Sequence, residues 1–430
     1  MLIGLFVALL LLIFFGFPVL LAIGVVGLVG ILIVPDLVVA MFPQKMFTML
    51  DSFSLLAMPY FILAGELMAR GGLSKKLVEF GETVVGHLRG GLGHAAVVAS
   101  MVFAGVSGSS TADTSAIGSI LIPSMKERGY KPGFAASLLA TAGTIGPIIP
   151  PSMTMIVYGS MAGVSIGGLF LAGIIPGFLV GFGLMGTIYL HSFFPQFPEL
   201  RKTTGRFQLK FVAKAAAKIW VALLAPVIIL GGILGGVFTA TEAGVVACFY
   251  SFVVTFFVYR TVKWRDLPSI LVSAAITTTM VVGIISVAGA FGWLLAYLDF
   301  NEVVMVLIRG ISSEPMVVLL VLIFTMLALT MFVESLAILI ILIPVAVFVS
   351  RAFGFDQYHF GLLMVMATQI GATTPPVAVL LFVATSIANT TYDQTIRYCL
   401  PFVLTLIAVM LFVAFVPWLA AWIPNRFLGP

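Results

Sequence analysis

Charged side chains are scarce in this chain of 430 residues. Asp, Glu, Lys and Arg make up 9% of it, against roughly 25% in soluble domains. Hydrophobic residues make up 61%, and long apolar runs recur along the chain. This composition excludes an ordinary soluble domain and predicts a multi-pass membrane protein for which lipid is the main solvent.

Cysteine is scarce as well. Cys248 and Cys399 lie in or beside apolar runs, so nothing indicates a disulfide, a metal cluster or redox chemistry, and no motif indicates an organic cofactor. The first apolar run has no basic segment before it and more apolar sequence after it, so we expect it to remain in the mature protein. The net charge of +5 is scattered between apolar runs, which predicts membrane topology rather than nucleic-acid binding.

Strict alternation of apolar and polar residues is absent, so the spans are predicted to be α-helices whose backbone groups bond within each segment. Gly16-Phe17-Pro18 divides the first apolar stretch, where two spans and one kinked helix both remain open. Placing the basic regions in cytoplasmic loops predicts that both termini lie outside. The predicted spans are 2–15, 19–34, 52–69, 166–190, 219–236, 240–259, 275–297 and 400–422.

Two adjoining apolar regions are interrupted by residues that do not continue a helix. Region 91–125 is broken by Gly105-Val106-Ser107-Gly108-Ser109-Ser110, and each half is shorter than the roughly 20 residues that cross a bilayer. Basic residues flank both of its ends, which predicts a re-entrant helical hairpin with its tip near the midplane. Region 132–160 is broken between Gly143 and Pro151, where two prolines stop the helix.

The second half of the chain repeats this pattern, with a hairpin over 315–350 and a broken helix over 358–388. The predicted topology puts both ends of the second hairpin outside, so the two halves are inverted repeats, which are typical of secondary transporters. The aligned residues are Ile120–Pro123 with Ile341–Pro344, and Gly146, Pro150 and Pro151 with Gly371, Pro375 and Pro376.

Broken helices leave unpaired carbonyl and amide groups at membrane depth. Such groups persist only where they bind something or line water. Carbonyls at the end of a half-helix suit a small cation, whereas amides and hydroxyls suit an anionic group. Each hairpin tip is expected to meet the neighbouring break, so the sequence predicts two similar cation sites.

Asp113 lies just after the first tip and has two interpretations. Ser110-Thr111-Ala112-Asp113 fits a capping box, in which Ser110 caps the returning half-helix and Asp113 reaches back to its first amides. Intramembrane carboxylates are usually functional, so a role as substrate or cation ligand is the alternative, and both roles can hold together. Glu334, the counterpart in the second half, has the same two interpretations.

Two other classes of protein fit less of the sequence. Gly105-Val106-Ser107-Gly108 has the Gly-x-Ser setting of an intramembrane serine protease, but no histidine is predicted at that depth to act as the base. A channel does not need paired broken helices in inverted halves. We therefore predict a transporter and not an enzyme.

At these motifs the sequence resembles the large membrane subunit of the tripartite ATP-independent periplasmic (TRAP) transporters. The resemblance covers essentially the whole chain and is closest to the sialic-acid branch, with the C4-dicarboxylate branch as the alternative. Its most specific segments are Asp51–Phe53, Pro59–Glu66, Phe103–Ser109, Ile120–Met125 with Arg128–Tyr130, and Gly146–Ser152.

The resemblance implies an all-α, elevator-type fold in the bacterial inner membrane, in which a transport domain moves against a scaffold. It implies scaffold helices and a first arm helix over 1–90 and a transport domain over 91–165 and 311–390. Scaffold helices, a cytoplasmic loop over 196–218 and a second arm would occupy 166–310, and a C-terminal helix would occupy 391–430.

The resemblance also implies at least two sodium ions and a set of binding residues. Sodium site one would comprise Ala104, Ser107, Gly146, Ile149 and Pro151. Sodium site two would comprise Thr325, Ala328, Gly371, Thr374 and Pro376. The substrate would contact Ser107, Ser109, Ser110, Asp113 and Thr154.

The implied activity is sodium-driven import of a small organic acid. Sialic acid (N-acetylneuraminate) is the expected substrate, and a C4-dicarboxylate is the alternative. The implied partners are a small four-helix membrane subunit, a soluble periplasmic substrate-binding protein and membrane lipid, with no nucleic acid.

Overall fold

The computed structural model describes residues 2–35, 37–203 and 208–428, and every regular element in them is helical. By length and composition, seven of the described helices could cross a membrane, and one further pair could do so together but is bent by 115°. The α-helices are α1 (Leu2–Phe14), α2 (Val19–Ile33), α3 (Met41–Leu50), α4 (Ala57–Arg70), α5 (Leu73–Val85), α6 (Gly91–Ser107), α7 (Ser110–Glu127), α8 (Pro132–Gly143), α9 (Met153–Ala162), α10 (Ile166–His191), α11 (Leu209–Leu234), α12 (Ala240–Val253), α13 (Leu267–Tyr297), α14 (Phe300–Ile311), α15 (Pro315–Thr330), α16 (Ser335–Ala352), α17 (Gln357–Gly371), α18 (Val379–Ala388), α19 (Tyr392–Phe415) and α20 (Trp418–Leu428).

The amino-terminal stretch forms two antiparallel helices rather than one kinked helix. The turn between α1 and α2 contains Gly16 at a φ of 85°, a conformation that glycine adopts without steric cost. Near the open end of the pair, a Cβ added to Gly30 would lie 3.2 Å from Leu5 Cδ1. The two helices therefore fold back on each other, which settles the choice that the sequence left open.

Both predicted hairpins are present. Helices α6 and α7 turn back on each other through Gly108 and Ser109, and α15 and α16 do so through residues 331–334. Gly108 ends α6 in the left-handed conformation, with a φ of 63°. The 17 residues of α6 span about 25 Å at a rise of about 1.5 Å per residue, which is less than the roughly 30 Å of a bilayer core.

Both predicted broken helices are present as well. Residues 144–152 separate α8 from α9, and residues 372–378 separate α17 from α18. Each break contains a cis peptide bond between two consecutive prolines, Pro150-Pro151 and Pro375-Pro376. The proline nitrogens carry no N–H, so the helical hydrogen bonds are interrupted there.

The two halves pack crosswise around the breaks. Helix α7 packs on α8 and α18, and its counterpart α16 packs on α17 and α9. Each returning hairpin helix therefore contacts the broken helices of both halves. The buried side chains of these helices belong to one continuous core, and the two tips and two breaks meet beside it.

Two predicted helix starts in the middle of the chain are wrong. Helix α11 begins at Leu209 rather than near 219, so the last part of the predicted loop 196–218 is helical; residues 204–207 of that loop lie outside the described residues. Helix α13 begins at Leu267 rather than near 275. In α11 the lysines at 210, 214 and 218 precede the apolar run, and they lower the local hydropathy without ending the helix. In α13 the added turns contain Pro268 at the helix start, where proline is tolerated, and two serines.

The carboxyl-terminal part also differs from the prediction of a single helix over 391–430 with a span at 400–422. Helix α19 begins at Tyr392, where Thr391 Oγ1 accepts a hydrogen bond from Gln394 N at 3.4 Å. It ends at Phe415, because Val416 is extended at φ −124° and ψ 75° and Pro417 cannot continue the helical hydrogen bonds. The short α20 follows. The division of the chain into moving and fixed domains stays a prediction.

Candidate substrate and cation site

A cavity of about 210 Å³ lies where the two tips and the two breaks meet. The starts of α7, α9, α16 and α18 and the end of α17 form its walls, and α13 closes one side. The lining residues are Gly108, Ser109, Ser110, Thr111, Pro147, Met153, Thr154, Thr277, Val281, Glu334, Ser335, Leu336, Gln369, Ala372, Val379 and Leu380.

Three of the five predicted substrate residues line this cavity, namely Ser109, Ser110 and Thr154. Ser107 and Asp113 are buried and do not line it. The amino-terminal end of α7 borders the cavity, and in the described part of the chain no lysine, arginine or histidine does. The first amides of a helix carry partial positive charge and attract anions. An anion in this cavity would therefore be held by amides and hydroxyls.

Asp113 is fully buried beside the first break. Ser107 Oγ donates a hydrogen bond to Asp113 Oδ1, while Oδ2 has no hydrogen-bond partner among the described residues. A Cβ added to Gly146 would lie 3.0 Å from Asp113 Cγ, so the carboxyl group lies directly against the break. A buried, unpaired carboxylate oxygen is strongly unfavourable unless a cation or a proton accompanies it.

The capping box predicted at Ser110 is wrong. Ser109 is the N-cap, with an extended backbone at φ −130° and ψ 122°, and its Oγ accepts a hydrogen bond from Ala112 N at 3.5 Å. The Asp113 side chain bonds Ser107 instead of the first amides of α7. Two adjacent serines are equally good N-caps, so the sequence did not specify which of them caps the helix.

Main-chain carbonyl groups without donors also occur at the first tip and the first break. No donor in the described residues bonds the carbonyl oxygens of Ser107, Gly146, Ile149 or Pro151, and the Ala104 carbonyl accepts a long hydrogen bond of 3.4 Å from Gly108 N. The tip and the break are held together by a hydrogen bond from Met153 N to the Gly108 carbonyl at 3.3 Å. Ala104 and Ser107 lie in the last turn of α6, and Gly146 and Pro151 lie against the tip, since a Cβ added to Gly146 would lie 3.2 Å from the Ser109 carbonyl carbon and one added to Gly108 would lie 2.5 Å from the Pro151 carbonyl oxygen. Predicted sodium site one stays a prediction. Unwound carbonyls of this kind coordinate sodium in transporters.

The second junction has the same backbone contact but fewer free oxygens. Val377 N donates to the Met331 carbonyl at 3.2 Å, matching the bond at the first tip. However, the Gly371 carbonyl accepts from Thr374 N at 2.9 Å, and the Pro376 carbonyl accepts from the Tyr392 hydroxyl at 2.9 Å. Two of the predicted ligands therefore already have donors.

The structure does not bring Thr325 and Ala328 to this junction. Both are exposed on α15, and it is Leu327 and Thr330 that lie against Gly371. Gly108 and Met331 accept the equivalent backbone hydrogen bonds at the two junctions, so they occupy equivalent positions in the two hairpins. The residue equivalent to Ser107 is therefore Thr330, two residues after Ala328. The sequence alignment of the two hairpins depends on Pro123 and Pro344, which lie in the second helix of each hairpin. These prolines do not determine how the first helices, α6 and α15, align with each other.

Sequence reasoning missed Gln369 as a site residue. It lines the cavity from α17, is 2% exposed, and its Oε1 has no partner among the described residues. An amide in an apolar helix is itself a signal of function. Glu334 was considered only as the counterpart of Asp113, but it lines the cavity and is the N-cap of α16, accepting a hydrogen bond from Ala337 N at 2.8 Å.

The profile of the family described as "Tripartite ATP-independent periplasmic transporter, DctM component" matches residues 6–419. The chain belongs to the DctM family. It is therefore the large permease subunit of a TRAP secondary transporter, and a multi-pass protein of the bacterial inner membrane.

Three relatives illustrate the range of this DctM family. The isethionate TRAP transporter permease protein DctMQ of Oleidesulfovibrio alaskensis is 37% identical over 94% of this chain, which spans only 63% of that protein. The C4-dicarboxylate permease DctM of Pseudomonas aeruginosa is 37% identical over 94% of both chains. The sialic acid permease SiaM of Vibrio cholerae is 35% identical over 97% of both. These names differ in their solutes, so membership of the DctM family does not determine the substrate.

A solved structure supports the fold of this DctM chain. The crystal structure of the Alcanivorax borkumensis YdaH transporter matches it with a TM-score of 0.62 at 16% identity, over 91% of this chain and 88% of that one. At this identity the match concerns the fold alone.

Proposed function

We propose that this DctM chain is the translocating subunit of a sodium-coupled importer of organic acids, with N-acetylneuraminate as its substrate. One observation carries the proposal. At the first hairpin tip, a buried carboxylate oxygen and several carbonyls have no hydrogen-bond donor among the described residues, and the same tip borders a cavity that no basic side chain of the described residues lines. The first environment suits a small cation, and the second suits an anion held by a helix start.

The shared tip provides coupling between the two ligands. A sodium ion beside Asp113 would raise the positive potential at the start of α7, and an anion there would in turn favour the sodium ion. Such coupling is reciprocal by thermodynamic linkage, so each ligand increases the affinity for the other. The inward sodium gradient would then drive uptake of the acid.

The cavity favours an acid with one carboxylate and several hydroxyl or amide groups. The carboxylate would bind at the start of α7, while Ser109, Thr154 and Gln369 would bind hydroxyl and amide groups. Glu334 also lines the cavity, where it would accept hydrogen bonds from substrate hydroxyl groups and repel a second carboxylate. A sugar acid meets these demands better than a C4-dicarboxylate, which remains the alternative. The relative named for sialic acid transport is consistent with this choice.

The transport cycle we propose is an elevator movement of the hairpins and broken helices against the remaining helices. The complete system would include a small four-helix membrane subunit and a periplasmic substrate-binding protein that delivers the acid. At least two sodium ions would accompany each substrate. The first junction is the better equipped of the two proposed cation sites, because four of its five predicted carbonyl ligands lack donors in the described residues.

The test is uptake by the reconstituted three-component complex in proteoliposomes. We expect labelled N-acetylneuraminate to accumulate only when an inward sodium gradient is imposed and the binding protein is present, and labelled succinate to accumulate at least tenfold more slowly. Faster succinate uptake would support the dicarboxylate alternative. Solute current without the binding protein or the gradient would indicate a channel and refute the coupled mechanism.

A further inference from the structure

A second polar cleft lies between α5 and α11, remote in sequence from the tips and breaks. Its volume is about 250 Å³. Three of its lining side chains are lysines and only one is a carboxylate, so the cleft carries a surplus of positive charge. The lining residues are Lys76, Glu79, Phe80, Thr83, Phe211, Lys214, Ala215 and Lys218.

The lysines of this cleft form no ion pair with any of the described residues. The three ion pairs found among the described residues are Arg70–Glu66, Arg128–Glu82 and Arg265–Asp266, and none of them involves a cleft lysine. Lys76 is held in position, because its Nζ lies 3.2 Å from the centroid of the Tyr259 ring. Lys214 and Lys218 are exposed and one helical turn apart on α11.

The depth of the cleft follows from the sequence of α11. Its apolar part begins at Ile219 and continues to the end of the helix at Leu234, and a helix needs about 20 residues to cross the roughly 30 Å of a bilayer core. Lys214 and Lys218 therefore lie at the level of the lipid phosphates. Phe211 and Trp220, which are 54% and 57% exposed, flank them, as aromatic residues do at membrane interfaces.

We propose that this cleft binds the phosphate head group of an anionic phospholipid from the cytoplasmic leaflet. Basic pockets between transmembrane helices on this side of a membrane bind such head groups, and the exposed apolar surface of α11 below the lysines would receive the acyl chains. Helix α5 lies between α4 and the first hairpin in the chain and packs on both α6 and α11. A lipid in the cleft would fasten α5 to α11. The proposal is independent of which solute the protein carries.

The test compares two double variants with the same change in charge. Lys214→Gln/Lys218→Gln removes two cleft charges, whereas Lys75→Gln/Lys210→Gln removes two neighbouring charges on the same helices that do not line the cleft. Native mass spectrometry of the purified full-length chain would count bound phosphatidylglycerol and phosphatidylcholine of equal acyl length. We expect the unaltered chain to prefer phosphatidylglycerol, and we expect the cleft variant alone to bind it at least tenfold more weakly.

Three outcomes would overturn the proposal. These are equal binding of the two lipids by the unaltered chain, an equal loss of affinity in both double variants, or retention of phosphatidylglycerol by the cleft variant. Inorganic phosphate provides a further arm. If millimolar phosphate displaces the phosphatidylglycerol completely, the cleft is a site for free phosphate rather than for lipid. Unchanged melting temperatures would establish that the variants are folded.

Discussion

At the scale of single residues, two carboxylates that occupy related positions in the repeats have different surroundings. Asp113 is buried, accepts a hydrogen bond from Ser107, and has one oxygen without a partner in the described residues. Glu334 is exposed to the cavity and caps α16. These different surroundings are the reason why we propose a cation-binding role for Asp113 and a substrate-binding role for Glu334.

Replacing Asp113 by Asn keeps the size of the side chain and an oxygen that Ser107 can bond, but removes the charge. We expect the sodium concentration for half-maximal uptake to rise at least tenfold, because the proposed cation would lose the charge of the Asp113 carboxylate. Sodium titrations of uptake in proteoliposomes measure this effect. Asp299→Asn, a change in a loop, is the control and should leave the titration unaltered. An unchanged titration for Asp113→Asn would remove Asp113 from the cation site.

Replacing Glu334 by Gln preserves the α16 cap, since the Gln oxygen can still accept a hydrogen bond from Ala337 N. The variant removes the repulsion of a second carboxylate, so the KM for succinate should fall at least fivefold while the sodium dependence stays the same. Competition of unlabelled succinate with labelled N-acetylneuraminate gives the measurement. If succinate inhibits N-acetylneuraminate uptake equally in the unaltered protein and in Glu334→Gln, Glu334 does not discriminate between the two acids.

At the scale of structural elements, each tip is attached to its neighbouring break by one backbone hydrogen bond, Met153 to Gly108 in the first half and Val377 to Met331 in the second. Gly108 has a positive φ, and a Cβ there would lie 2.5 Å from the Pro151 carbonyl oxygen. The close approach of tip and break therefore requires glycine at this position.

Gly108→Ala should destabilise this junction in two ways, by backbone strain at a positive φ and by the clash of the added Cβ with the Pro151 carbonyl oxygen. Gly163→Ala is the matched control, because Gly163 also has a positive φ, of 69°, but an added Cβ there would meet nothing within 4 Å. Overpacking costs about 1–3 kcal/mol, so we expect Gly108→Ala to lower the melting temperature further than Gly163→Ala and to reduce uptake at least tenfold. Equal effects of the two variants would mean that the tip does not depend on this contact.

Much of this level of organisation could be predicted from the sequence, because glycine and proline act on the backbone locally. The breaks at Pro150-Pro151 and Pro375-Pro376 and the first hairpin follow from such residues, whereas the second hairpin, whose tip has no glycine or proline, was predicted from the repeat of the first half. The role of Gln369 could not be predicted, since it depends on the crosswise packing of the two halves. The predicted positions of Thr325 and Ala328 beside Gly371 differ from the structure, in which Leu327 and Thr330 lie there, because the rotation of a helix is set by packing and not by the repeat motif.

At the scale of the whole molecule, the segment before α4 contacts the second half of the first broken helix. The hydroxyl oxygens of Ser52 and Ser160 lie 3.2 Å apart. In the division that we propose, Ser52 belongs to the scaffold and Ser160 to the moving domain. An elevator movement must separate these two residues.

A disulfide between Ser52→Cys and Ser160→Cys should therefore arrest transport. The two hydroxyls are close enough for cysteine side chains to approach the Cβ separation of about 3.8 Å that disulfides adopt. We expect oxidation to reduce uptake at least tenfold and reduction to restore it, with both single variants insensitive to oxidant. Full uptake by the cross-linked protein would mean that these two segments move together.

The lack of basic side chains around the cavity, in the part of the chain that is described, bears on how tightly a solute could be held. A hydrogen bond contributes about 0.5–1.5 kcal/mol net, so a handful of them gives a dissociation constant of around a millimolar. Such a cavity would release its bound solute quickly, but its occupancy would be low when the solute is dilute. Capture of a dilute solute would then depend on the affinity of the substrate-binding protein, and the permease would determine the rate of transport.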